Sequence, residues 1–325
     1  MTVLAPPIAP EAPRPRRGTG LIAHLGWEAI LLLLALAGFG YIVLQEGIDA
    51  IGRGVWLNFA SIGLLSSALA LSVRLRAVNL AVAAQAMLAG IIYAKLVAED
   101  WPAVVAGAVG VLAVLFLGLI LGAITGLTGA PAWAVSLGGL GLAEAISYAL
   151  SDARGVMVHG AGRYAVWLVA VWALVFVLGS IGGAVVFLVS GLPRDSASFG
   201  SRVLRSIGAF GLSSLIAGVA GVMYIGYIAY AAATGDGLRL LEAAAVVLLG
   251  GVSAATGRGG VLGTVLATLV VVALTTSLMI NGIATWASIV LPASIAILIG
   301  AVVGALLDKV SAPPAPAPAA PPAVW

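Results

Sequence analysis

The chain has 325 residues, 62% of them hydrophobic and 8% charged, with a formal net charge of +3 and a mean hydropathy of +1.19. This composition excludes a soluble globular domain and requires an all-α polytopic membrane protein. There is no cysteine, so disulfides, thiolate metal sites and cysteine nucleophiles are excluded, and the two histidines, His24 and His159, are too far apart for a metal cluster. The dispersed basic residues report topology and do not point to a nucleic-acid partner.

Residues 1–20, rich in Pro and Ala and carrying Arg14, Arg16 and Arg17, read as a disordered cytosolic tail that lacks a compact signal-peptide pattern. A first span is expected over Trp27–Val43, with Gln45–Asp49 outside, and a second over Val55–Val73, ending at the basic pair Arg74 and Arg76 of a short inside loop. The third, about Val78–Val97, carries Asn79, Gln85 and Lys95. The fourth is read over Pro102–Gly126, and the fifth opens at Ala132 and ends near Leu150 with Glu144 inside it.

Residues 151–163 form an outer loop in which His159 is a solvated side chain. A sixth span follows over Tyr164–Val189, then an inside loop 191–205 with Arg194, Arg202 and Arg205. The seventh, Ser206–Tyr230, has the small residues Gly211, Ser214, Gly218 and Gly221 spaced for one close-packed face, and Tyr224, Tyr227 and Tyr230 toward its outer end as an aromatic belt.

Between Gly235 and Thr264 an apolar run of about a dozen residues lies between glycine-rich breaks and carries Glu242. It is too short for a straight crossing, which takes roughly 20 residues, and reads as a broken helix or as a ragged span with glycines for packing. Spans over Val261–Ile280 and Trp286–Leu307 follow, separated by an outer turn at Asn281-Gly282, and residues 311–325 are a Pro/Ala-rich cytosolic tail. The transmembrane domain is thus expected over 21–310, with about ten transmembrane helices and both termini cytosolic. The Lys and Arg residues favour the proposed inner side by about two to one.

Polar side chains at membrane depth need partners. Asn79 and Gln85 are read either as interhelical hydrogen-bonding residues or as the lining of a wet cavity. On one continuous helix their spacing leaves them about 120° apart, so they are expected on different faces. Glu144 is read as a substrate-path residue, an interfacial residue or a structural partner. No catalytic constellation is present, and Gly257-Arg-Gly-Gly260 lacks the phosphate-binding pattern, so the chain is not expected to be an enzyme.

The run Leu241-Glu-Ala-Ala-Ala-Val-Val-Leu-Leu-Gly-Gly-Val-Ser253, with Gly257-Arg-Gly259, Gly263-Thr264 and Asn281-Gly282, resembles the C-terminal part of the permease subunits of ribose-type ABC importers. The wider family includes nucleoside and branched-chain amino acid permeases, and the similarity extends more weakly over Arg74–Lys309. Sugar permeases usually carry an acid where this chain has Asn79, and the Asn79 and Gln85 spacing is closer to the nucleoside branch. The resemblance implies a permease for a small polar solute, a sugar or a nucleoside, in a bacterial cytoplasmic (inner) membrane. It implies separate ATPase subunits, an extracytoplasmic solute-binding protein, and pairing as a homodimer or as a heterodimer with a second permease. Asn79, Gln85, Glu144 and Glu242 are the expected translocation-path residues.

The family's inside segment after the sixth span forms a coupling helix that docks on the ATPase; here it is short and lacks the usual markers. Arg194, Phe199 and Arg202 are the remaining candidates for that contact. A second permease that supplies the coupling helix is one alternative, and loss of ATP coupling is another. The latter would leave a permease-like structural or regulatory subunit, or a carrier that needs no ATPase.

Overall fold

In the computed structural model, residues 17–158, 167–189, 199–232, 237–253 and 260–311 are described. They form ten α-helices: α1 (Arg17–Glu46), α2 (Arg53–Arg74), α3 (Val82–Ala98), α4 (Ala103–Thr128), α5 (Ala132–Ser151), α6 (Trp167–Val189), α7 (Phe199–Ile228), α8 (Gly237–Leu249), α9 (Val261–Ile280) and α10 (Thr285–Ser311). A single 3-10 turn, Ile48–Ala50, leads into α2, and one two-stranded ribbon pairs β1 (Val156–Met157) with β2 (Tyr230–Ala231). Seven segments are long and apolar enough to cross a bilayer: α1, α2 with its preceding turn, α4, α5, α7, α9 and α10. The chain is an all-α multi-pass membrane protein. With 13 residues, α8 is about 20 Å long and is the short, interrupted helix read from the glycine breaks.

Buried elements occupy the centre and lipid-compatible ones the rim. Among the described residues α2 and α3 bury most of their length and α7, α8 and α9 about half, whereas α1, α4, α5 and α10 expose rows of Leu, Ile, Val and Trp such as Leu33, Val104, Trp133 and Leu298. The seam between α4 and α7 depends on missing side chains. Gly118, Gly122 and Gly126 follow one another at four-residue spacing along α4, and Cβ atoms there would lie 2.7 Å from Phe210 O, Ile207 Cα and Val203 Cα. Backbones that close gain dispersion contacts that lipid cannot supply. The small-residue face expected on α7 is real: Ser214 faces Gly118, Gly218 faces Val111 and Val114, and Gly221 faces Ala86 on α3.

Three boundaries move. The first helix starts at Arg17, ten residues before Trp27, so residues 17–20 are helical where a disordered tail was expected. The third helix starts at Val82, because residues 77–81 form a connection fixed by side chains, not a first helical turn. The seventh helix starts at Phe199, so residues 199–205, read as loop, are continuous with the span.

At one end of the bundle the α8–α9 junction is pinned to the first half of α1 and to the end of α10. Trp27 Nε1 donates to Leu249 O at 2.7 Å, Glu28 Oε1 accepts from Gly263 N at 3.1 Å, and Ser253 Oγ donates to Asp308 Oδ2 at 2.7 Å. A carboxylate at the free N–H groups of α9 satisfies a donor the helix cannot pair itself and lies at the favourable end of its dipole. Gly250 and Gly263 permit this junction, since a Cβ on Gly250 would sit 2.8 Å from Thr264 N.

Candidate functional site

The opposite end of the central helices holds a cavity of about 360 Å³ between α2, α3, α7 and α8. Small residues form its floor: Ala86 on α3 and Ala220 and Gly221 on α7, where a Cβ on Gly221 would overlap the Ala86 carbonyl. Leu65, Met87, Ile225, Ile228 and Leu238 supply apolar wall, and Ser61, Tyr224, Tyr230 and Arg239 bring polar groups. Its size lies near the lower end of the range for small-molecule sites, and a mostly apolar wall with a few converging polar groups is their usual chemistry.

Arg239 and Glu242 sit at i and i+3 on α8, so both project to one side of a helix too short to leave the core. Arg239 Nη1 lies 3.2 Å from Glu242 Oε2, and the two side chains are 15% and 2% exposed. The guanidinium carbon stands 4.6 Å from the centroid of the Tyr224 ring, a cation–π arrangement. Arg239 reaches the cavity wall, while Glu242 is buried behind it as counter-charge. Neither charge would be tolerated alone in this setting.

A second polar cluster lies about three helical turns away along α7, from Tyr224 to Ser213 and Ser214. Asn79 Nδ2 donates to Gln85 Oε1 at 3.1 Å and to Ser213 Oγ at 2.9 Å, and Ser214 Oγ donates to Gln85 Oε1 at 2.9 Å. The Asn79 backbone N–H donates to Ser72 Oγ at 3.0 Å, and Asn79 Oδ1 accepts from Ala81 N at 3.1 Å in an Asx turn that starts α3. All five side chains are fully enclosed. The expectation that Asn79 and Gln85 face apart is therefore incorrect. It assumed one helix through both residues, but Asn79 precedes α3 and its turn folds the amide back onto Gln85. Of the two readings for this pair, interhelical hydrogen bonding describes the geometry. Gln85 Nε2 is buried without a partner among the described residues.

The other expected site residues separate. Glu144 lies on α5, half-buried, and makes no hydrogen bond or ion pair among the described residues. Phe199 and Arg202 stand on the first turns of α7. Arg202 Nε donates to Gly126 O at 3.1 Å, among the unpaired carbonyls that end α4, and its guanidinium lies 5.3 Å from the Phe199 ring centroid. Phe199 is 59% exposed. Arg194 lies outside the described residues, as do His159 and the Gly257-Arg-Gly259 turn. No group of three or more His, Asp or Glu side chains suited to a metal ion occurs among the described residues.

No family model, curated protein or solved structure significantly matches the chain. The site is therefore argued from its own geometry. Sequence reading reached Glu242 but took Arg239 only as a topological charge and Tyr224 and Tyr230 as belt residues. The i, i+3 spacing of Arg239 and Glu242 was the available signal for the pair; the approach of Tyr224 from α7 had none.

Proposed function

We propose that the chain is the transmembrane permease subunit of an ABC importer and that the cavity walled by Arg239 and Tyr224 is where a small polar solute rests during passage. The observation that carries this reading is an enclosed ion pair at the wall of a core cavity in a chain whose charged residues are otherwise few. Ionisable groups at membrane depth are costly, and they mark a substrate path more often than they serve packing alone. A short apolar helix between glycine-rich breaks is the usual scaffold for such a path.

In this reading Arg239 orients the polar part of the solute, Tyr224 and Tyr230 offer hydroxyls and ring faces, and Leu65, Met87, Ile225 and Leu238 take its apolar part. Passage requires α3 and α7 to part at Gly221 and Ala86, which close the floor. The Asn79 cluster holds those two helices together beyond that point. Sugar and nucleoside are the solute classes that the sequence resemblance brings. ATPase subunits, an extracytoplasmic solute-binding protein, a second permease protomer and a bacterial cytoplasmic membrane belong to the same proposal.

A second reading is favoured by one observation: α6 ends at Val189 and α7 begins at Phe199, so only residues 190–198 remain to make a coupling segment. Arg202, a candidate for that contact, is already bonded to the end of α4. A permease-like structural or regulatory subunit that has lost ATP coupling accounts for this. Purification of the tagged chain in mild detergent with mass spectrometry of its companions decides between them. Recovery of an ATPase supports the importer; a stable complex without one puts the structural subunit first.

A further inference from the structure

The rim of the cavity is built by a ribbon joining two separate connections. Val156–Met157, from the α5–α6 connection, pairs antiparallel with Tyr230–Ala231 from the α7–α8 connection, and Val158 N–H donates to Ala229 O at 2.9 Å. Val158 and Ala231 are buried against the cluster that contains α3, whereas Met157 and Tyr230 are 54% and 43% exposed. Tyr230 and Ala231 line the cavity. The Tyr230 phenol lies directly on the backbone of Gly155, where any Cβ would overlap it. One face of the ribbon is thus seated on the core, and the other carries an aromatic side chain to the cavity edge.

The backbone on both sides of the ribbon is strained. Asp152, Ala153 and Ala229 adopt φ of 51°, 54° and 58°. Aspartate tolerates the left-handed region, but alanine enters it only under constraint. The constraint here is a ladder of two-residue strands, which is marginal by itself. Strain flanking a short ladder favours a segment with two arrangements separated by little free energy.

We propose that the β1–β2 ribbon is a gate over the cavity, with Tyr230 as the side chain that closes its rim against Gly155. Opening parts β1 from β2 and withdraws the phenol; closing reseats it. The proposal rests on reading the cavity as a solute site, but its test needs no knowledge of the solute.

The chain has no cysteine, so a single Ser61→Cys substitution in the cavity wall reports access. The protein is placed in nanodiscs and its labelling rate by a charged methanethiosulfonate reagent is measured. Tyr230→Ala is expected to raise that rate about tenfold, and Tyr230→Phe, which keeps the ring, to leave it within about twofold. Joining Val156→Cys to Ala231→Cys as a disulfide before labelling is expected to lower the rate about tenfold, with recovery after reduction and removal of the reductant. Melting temperature and size-exclusion profile establish that each variant is folded.

Equal labelling in the Ser61→Cys protein by itself, with Tyr230→Ala added and with the cross-link added overturns the gate, and so does absence of labelling in all three. The gate and the importer reading fail separately. Gated labelling without a co-purifying ATPase removes the importer and leaves the gate; recovery of an ATPase with labelling indifferent to the ribbon does the reverse.

Discussion

At Asn79 and Gln85 the polar atoms bond to each other and to Ser213 and Ser214, all fully buried, whereas at Arg239 and Glu242 the ion pair has one side on about 360 Å³ of open volume. Both clusters sit at the start of a short helix, α3 or α8, and both lean on α7. They differ in what remains after the polar atoms have found partners. The neutral cluster joins α2, α3 and α7, and of its side-chain polar atoms only Gln85 Nε2 is left without a partner among the described residues. In the charged cluster the carboxylate lies behind and the guanidinium faces the cavity, over the ring of Tyr224. A polar residue inside a membrane bundle is thus assigned by its neighbours' packing, not by its chemistry alone.

That contrast is open to test, and the largest effect is expected at the ion pair. Arg239→Leu strands the Glu242 carboxylate and should lower unfolding stability by about 3–5 kcal/mol, whereas Arg239→Leu combined with Glu242→Leu should recover most of the loss. Thermal and denaturant unfolding in detergent read both. If the double variant is no better than the single one, Arg239 acts through Tyr224 more than through its counter-charge.

Next in size is the seam that both clusters depend on. Gly122→Ala places a methyl 2.7 Å from Ile207 Cα and is expected to cost about 1–3 kcal/mol by forcing α4 from α7. Gly138→Ala, where a Cβ meets nothing within 4 Å, is the control and should be within about 0.5 kcal/mol of the native protein.

Smaller again, Asn79→Ala takes a donor from Gln85 Oε1 and Ser213 Oγ and the acceptor from the Ala81 N–H, and is expected to cost about 1–2 kcal/mol. A double-mutant cycle with Gln85→Leu should return a coupling near 1 kcal/mol, the scale for hydrogen bonds between membrane helices. In the importer reading, solute transport per folded molecule should change less in Asn79→Ala than in Arg239→Lys, which keeps the charge but loses the planar fork. Equal transport losses in both would dissolve the distinction between the clusters.

The smallest effect is expected at Glu144, which has no polar partner among the described residues. Glu144→Gln should change the melting temperature by no more than about 2 °C. A larger loss would identify a partner on another chain.

Much of the fold was legible because bilayer thickness and helix rise leave few choices. The ninth helix was read over Val261–Ile280, as observed, and the glycines around residues 250 and 260 marked the short α8. The four-residue spacing of Gly118, Gly122 and Gly126 was equally readable and went unused, although it marks the seam between α4 and α7. The site was less legible. Glu242 was conspicuous as an acid in an apolar run, and the same logic selected Glu144, which sits on a different helix away from the cavity.

What the sequence determined by itself is the solvent and the parts: apolar runs that require lipid, glycine breaks that require a short helix, and buried polar residues that require partners. Only the tertiary structure decided which partners those are. Asn79 meets Gln85 because a five-residue connection turns an amide back on itself, and Tyr224 meets Arg239 because small side chains let α7 come close to its neighbours. The β1–β2 ribbon was outside any reading of the sequence, since two residues from each of two distant connections carry no period. Periodicity encodes how one segment meets its solvent; encounters between segments depend on shape complementarity that exists only once the chain is folded.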